Sequence, residues 1–175
     1  MKSKQIAQSK LRASKLAAFA IVVGIILLTA CGMPNAGVKK DLSSGLSTNY
    51  SGITIEDAAV TMDDAEIHHN KIPLGKSFTI INKNVSGLIE KEGKLSLGCA
   101  LLITDESGNK ILDEADLFAG KEGVPVSEGK YLTCKVNTGE PMQKEKNYNV
   151  EVKFWDKNGT GKILNKYQIK MTEAP

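Results

Sequence analysis

The sequence predicts an all-β protein, an antiparallel β-sandwich of six to eight strands with an immunoglobulin-like or related Greek-key topology. Apolar and polar residues alternate with a period of two in several segments from Lys76 onward. Turn sequences rich in Gly, Asn and Asp separate these segments. Only residues 113–119 favour a helical turn or two. The immunoglobulin-like topology is inferred by analogy with strand number and spacing.

The first 30 residues have the pattern of a secretory signal peptide. Five basic residues precede an apolar run of 13 residues, 16–28, and no acidic residue occurs before Asp41. At about 1.5 Å per residue, a helix of that length reaches roughly 20 Å, short of the roughly 30 Å hydrocarbon core. A basic segment, a short apolar segment and small residues after it therefore predict a cleaved signal peptide rather than a membrane-spanning helix.

The end of this segment, Leu28-Thr29-Ala30-Cys31, resembles the lipobox of bacterial lipoproteins. The resemblance implies cleavage between Ala30 and Cys31 and attachment of diacylglycerol to the Cys31 sulfur, with fatty acids such as palmitate. A thiolate is the nucleophile that such an alkylation needs. Two or more acyl chains give stable attachment to a membrane, whereas one chain gives only marginal attachment.

Removal of residues 1–30 changes the charge balance. The precursor has 23 basic and 20 acidic residues, and five of the basic residues lie in the signal peptide. The mature chain is therefore slightly acidic, which excludes the basic footprint of a nucleic-acid-binding protein. We expect three parts: a signal peptide (1–30), an acylated flexible tether (31–52) rich in Gly, Ser and Asn, and the β-sandwich (53–175).

The resemblance also implies a location in the bacterial cell envelope. Gly32 follows the lipobox, where the signal for retention at the plasma membrane is usually Asp. In a bacterium with two membranes, this favours the periplasmic face of the outer membrane.

Residues 53–70 fit two interpretations. Alternation over residues 53–62 favours a strand that breaks at Asp63-Asp64. Thr54 and Asp57 also have the spacing of a capping box, ahead of an apolar helical stripe. We favour the strand.

Later segments are clearer strands. Their apolar residues fall on one face, as expected for half-buried antiparallel strands. Hairpin turns are predicted at residues 105–109 and 156–161. The predicted strands are centred on Phe78–Ile80, Leu95–Ile103, Leu132–Val136, Tyr148–Phe154 and Ile163–Met171.

Two cysteines remain after Cys31. Cys99 and Cys134 both fall on the inward register of predicted strands. An even number of cysteines in an exported domain permits a disulfide. Two small buried thiols that pack as apolar groups are the equally weighted alternative.

Metal sites have weak support. Asp156, Asn158 and Thr160, with Gly161, resemble the first positions of an EF-hand calcium loop, but the twelfth position is Tyr167 instead of Glu. The only histidines, His68 and His69, are adjacent and would point to opposite faces of a strand. We therefore expect no metal and no cofactor, with a weak surface calcium site at Asp156 as the exception.

No catalytic set is visible in the sequence. There is no Gly-x-Ser-x-Gly elbow and no Gly-rich phosphate loop. Trp155 lies on the outward register, where it either marks a ligand patch or is covered by a loop. The sequence thus predicts a non-enzymatic lipoprotein that binds an envelope protein or glycan or serves as an accessory subunit. The alternative is a receptor for a small ligand or for calcium, or a minor envelope hydrolase.

Overall fold

The computed structural model describes residues 35–173, which form an antiparallel β-sandwich and confirm the predicted fold class. Nine strands have five or more residues, so the expected six to eight is too low. A 3₁₀ helix covers Val126–Lys130. The strands are β1 (Ala36–Lys40), β2 (Ser47–Ser51), β3 (Asp57–Met62), β4 (Ala65–Glu66), β5 (Lys71–Pro73), β6 (Ser77–Lys83), β7 (Glu90–Lys91), β8 (Lys94–Leu95), β9 (Leu97–Asp105), β10 (Lys110–Glu114), β11 (Val124–Pro125), β12 (Tyr131–Asn137), β13 (Asn147–Asp156) and β14 (Lys162–Thr172).

The two main layers are a seven-stranded and a four-stranded sheet. The larger has the order β1-β2-β14-β13-β9-β10, and β5 runs parallel to the end of β14. The smaller has the order β12-β6-β3-β4. A third sheet joins three two-residue strands in the order β11-β8-β7. The chain therefore passes repeatedly between layers, and β12 lies at an edge.

Alternation decides which side chains fill the space between the layers. Every second residue of β6, β12, β13 and β14 is buried, as the period of two predicts. Phe78 of β6 meets Tyr167 of β14 edge to face, with ring centroids 5.7 Å apart. This contact joins the two sheets at the centre of the core.

The strand interpretation of residues 53–70 is confirmed for residues 57–66. Strand β3 pairs with β6 so that Val60 lies opposite Ile80, and both are buried. Asp63 and Asp64 form the turn to β4 with φ values of 49° and 63°. Short acidic side chains tolerate this left-handed conformation, which explains the predicted break.

The predicted tether over residues 31–52 is wrong from Ala36 onward. Strands β1 and β2 form a hairpin, and β2 pairs with β14 from Ser47 to Ser51. Leu46 and Thr48 are buried, and the Thr48 hydroxyl donates to Asn165 Oδ1 at 2.8 Å. Because a polar residue occupies a buried position, the strand has no apolar alternation and resembles a linker. The folded domain thus begins near residue 36, not 53.

The helical turn expected at residues 113–119 is also wrong. Strand β10 occupies its first part, and residues 117–120 form a turn. Within residues 35–173, no helix has the length and apolarity needed to cross a bilayer. The predicted signal peptide, the lipobox and Cys31 lie outside the described residues.

Candidate binding cleft

A cleft of about 260 Å³ lies where edge strand β12 approaches the start of β9. Its floor is apolar, because Leu97, Leu132 and Phe154 present side chains that belong to the buried core. The lining residues come from four stretches of chain: Leu95, Ser96 and Leu97; Phe118, Lys121, Glu122, Gly123 and Val124; Glu128, Tyr131, Leu132 and Thr133; and Phe154.

Asp116 holds one wall of this cleft in place. Its Oδ1 accepts hydrogen bonds from the amides of Cys99 at 3.1 Å and Phe118 at 2.9 Å. Its Oδ2 lies 2.7 Å from the Lys157 ammonium. Burial opposes ionisation of this carboxyl, but Lys157 and the two amides outweigh it and lower its pKa. The ionised carboxylate of Asp116 therefore holds the loop after β10 against β9 through a hydrogen bond to the β9 backbone.

The rim of the cleft carries charges of both signs. The Lys121 ammonium lies 5.0 Å from the centre of the Phe118 ring, within cation–π distance. Glu122 pairs with Lys94 at 2.9 Å. Tyr131 is 55 % exposed and presents a phenol at the entrance. The cleft thus combines an apolar floor with a rim of hydrogen-bonding groups, the usual arrangement of a binding site.

The chemistry of the lining suits binding better than bond cleavage. The hydroxyls in the lining belong to Ser96, Thr133 and Tyr131, and no histidine or cysteine is among the described lining residues. A volume of about 260 Å³ is just below the range of sites for drug-sized ligands. It matches a single ring or one side chain of a larger partner.

Asp156, the leading calcium candidate, serves the fold. The residue is buried, with 4 % of its surface exposed. Oδ2 accepts from the Ile89 amide at 2.7 Å, and Oδ1 accepts from the Asn158 amide at 2.8 Å. The Asn158 side-chain amide points its Nδ2 at the Ile89 carbonyl, 3.4 Å away. A calcium ion needs converging free oxygens, so the arrangement of Asp156, Asn158 and Thr160 does not fit calcium.

His68 and His69 do not form part of a metal site in the described residues. His68 and His69 are exposed, and the His69 carbonyl accepts a hydrogen bond from the buried Tyr167 hydroxyl at 2.8 Å. In residues 35–173, no group of three or more His, Cys, Asp or Glu side chains is placed to hold a metal ion.

Trp155 faces outward, as its register predicts. It pairs with Gly98 on β9, and a Cβ built on Gly98 would lie 2.0 Å from the indole ring. The ring therefore lies directly over the glycine backbone, an approach that only Gly permits. Lys153 extends its ammonium to 5.7 Å from the same ring. Trp155 is half-buried by the sheet on which it lies.

Sequence reasoning missed the cleft itself. Its lining comes from segments up to 59 positions apart, Leu95 to Phe154, and no local motif joins them. The signals in the sequence are Tyr131, an aromatic residue on the outward register of a predicted strand, and the turn-forming segment Gly123-Val124-Pro125.

Fold and cleft together define a class: an antiparallel β-sandwich with a small amphipathic cleft beside one edge strand. No known family model matches the sequence, and no curated protein is similar to it. Among solved structures, the chain is similar to the crystal structure of the C-terminal domain of wzt. The alignment has 12% identity and a TM-score of 0.49, and covers 81% of this chain and 80% of the other.

Proposed function

We propose that this protein is a lipid-anchored lipoprotein of the bacterial cell envelope whose β-sandwich is a non-enzymatic binding module. The observation that carries the proposal is the sequence of residues 1–31, in which a basic segment and a short apolar run end in Leu28-Thr29-Ala30-Cys31, a resemblance to the lipobox. The attachment site is Cys31. In a cell with two membranes, Gly32 favours the periplasmic face of the outer membrane.

The cleft supports the binding part of the proposal. Its apolar floor favours an uncharged ring or side chain, and Lys121, Glu122 and Glu128 supply polar contacts at the rim. A sugar ring of an envelope glycan and a side chain of an envelope protein both have this amphipathic character. Exposed aromatic residues such as Tyr131 are common anchors of such interfaces.

A receptor for a small ligand is the second candidate. The apolar floor of the cleft favours it, because binding pockets for small molecules are concave and mostly apolar. A receptor for calcium has no support from Asp156, because its carboxylate already accepts hydrogen bonds from two backbone amides.

The anchoring part is tested by Cys31→Ser. The hydroxyl cannot take the place of the thiolate in lipid transfer, so the product should lose all incorporated radiolabelled palmitate and keep its signal peptide. Gel mobility, mass and label measure this. The matched control is Cys134→Ser, which should still be labelled. Label and size equal to those of the unaltered protein would contradict the proposal.

The binding part is tested by photocross-linking in intact cells. We expect p-benzoylphenylalanine in place of Tyr131, at the cleft entrance, to form a covalent adduct with the partner. Mass spectrometry of the adduct then distinguishes a protein, a glycan and a small ligand. The control is the same substitution at Lys135, which is exposed on the same strand outside the cleft. Equal adducts at both positions, or none at Tyr131, would argue against the cleft.

A further inference from the structure

Cys99 and Cys134 come from opposite layers of the sandwich and meet in the core. Cys99 lies on β9 of the seven-stranded sheet, opposite Phe154. Cys134 lies on β12 of the four-stranded sheet, opposite Ile80. Both are buried thiols, 1% and 3% exposed, and belong to one hydrophobic cluster.

The two thiols interact across the space between the sheets, and the interaction shifts the pKa of each. It lowers the pKa of the Cys134 thiol against the opposing effect of burial. The same interaction, together with burial, raises the pKa of Cys99. Because both side chains also point into one hydrophobic cluster, their sulfur atoms are neighbours.

The backbone is held more rigidly at Cys99 than at Cys134. The amide of Cys99 is held by Asp116 Oδ1, and its carbonyl accepts from the Leu117 amide at 2.6 Å. Within residues 35–173, Cys134 lies on an edge strand that pairs with β6 alone. A disulfide needs an S–S distance of about 2.05 Å, so one sulfur must approach the other. In the part of the chain that the structure describes, no strand pairs with the outer side of β12, so this strand can make the adjustment.

We propose that Cys99 and Cys134 are a modification site, oxidised after export to a disulfide that joins the two sheets. This inference rests on the proposed envelope location, where disulfides form and persist. The oxidant is a disulfide-bearing thiol oxidoreductase of the envelope. One cysteine thiolate attacks the oxidant's disulfide and displaces one of its thiolates. The second cysteine, having lost its proton, attacks the mixed disulfide and displaces the other. The pair loses two electrons and two protons, and the oxidant becomes a dithiol.

Such a bridge would make the cleft more rigid. Nine of its 13 lining residues lie between positions 99 and 134, and the bridge would close that stretch into a covalent loop. Cys99 is two residues from Leu97 at the cleft floor, and Cys134 follows Leu132 and Thr133 on the opposite wall. The disulfide would therefore fix the distance between the walls and restrict the rim loop.

The test uses the full-length protein extracted from membranes without reductant. Free thiols are blocked with N-ethylmaleimide in denaturant, and the chain is digested and analysed by mass spectrometry. We expect one linked peptide containing Cys99 and Cys134, which separates after reduction into two peptides that then accept the reagent. N-ethylmaleimide on both cysteines before reduction would overturn the proposal.

Thermal melting supplies a second readout. Reduction should lower the Tm of the unaltered protein by on the order of 10 °C, because it releases a loop of about 35 residues. Reductant should leave the Tm of the double variant Cys99→Ala, Cys134→Ala unchanged. Equal Tm values for the unaltered protein with and without reductant would contradict the bridge. Lipid on Cys31 beside two free thiols would refute the disulfide alone, whereas an unlipidated Cys31 would refute the proposed anchor.

Discussion

A chain that begins at Ile53 is expected to lose its cooperative fold, whereas a chain that begins at Asn35 should fold as the full-length protein does. The shorter chain lacks β1 and β2, so β14 loses its hydrogen-bonding neighbour from Lys162 to Lys166. Leu46 leaves the core, and buried Asn165 loses the Thr48 hydroxyl. Removing one buried Leu side chain already costs about 2–5 kcal/mol.

The lost pairing of β14 with β2 and the lost hydrogen bond from Thr48 add to this cost in stability. The backbone groups that β14 presents to β2 would be left on an open edge, which promotes association between chains. The sum reaches the range of total domain stability, about 5–15 kcal/mol. We therefore expect a broad, non-cooperative melt and aggregation for residues 53–175.

Circular dichroism melting and size-exclusion chromatography of the two truncated chains measure this effect. Leu42→Ala in the longer chain is the matched control, because Leu42 lies in the β1–β2 turn and is 92% exposed. It should leave the Tm within a degree or two of the unaltered value. A sharp melt of residues 53–175 at the Tm of residues 35–175 would show that β1 and β2 are dispensable.

Asp156→Ala is expected to lower the free energy of unfolding by about 3 kcal/mol. The carboxylate joins the turn between β13 and β14 to the amide of Ile89, which precedes β7. Without it, the part-buried Ile89 and Asn158 amides lose a charged acceptor. Asp156→Asn keeps one acceptor oxygen and should recover about half of the loss.

Urea unfolding followed by circular dichroism measures these changes. Asp105→Ala is the matched control, because Asp105 caps the turn between β9 and β10 in a similar way. Its carboxylate is more exposed than that of Asp156, so its loss should cost less. Equal midpoints for the two alanine variants would contradict the structural role of Asp156. So would stabilisation of the unaltered protein by millimolar calcium that disappears in Asp156→Ala.

The sequence predicted those strands whose burial follows from apolar alternation. Strands β6, β12, β13 and β14 are of this kind. The same alternation predicted that Cys99 of β9 and Cys134 of β12 point inward. Strand β2 was missed because its buried residue, Thr48, is polar and is satisfied by Asn165, 117 positions away. Pairing of that kind depends on tertiary contacts and leaves no local pattern.

For the candidate sites too, features that depend on local sequence were predicted, and features that depend on packing were missed. The hairpin turn at residues 156–161 was predicted from its Gly and Asn residues, and the structure has a turn there. The burial of Asp156 was not predicted, because the amide that it accepts from lies 67 positions earlier at Ile89. The cleft was missed because its walls meet only after the two sheets pack.

The contact between Trp155 and Gly98 has a practical consequence. Trp155 is the single tryptophan of the chain, and it lies over the residue next to Cys99. Its fluorescence emission depends on how closely the indole is held against β9, so the intensity and wavelength report the pairing of β9 with β13. The protein thus has an intrinsic fluorescent probe on the outer face of the strand that contains Cys99, and stopped-flow spectroscopy can follow its refolding without an added dye.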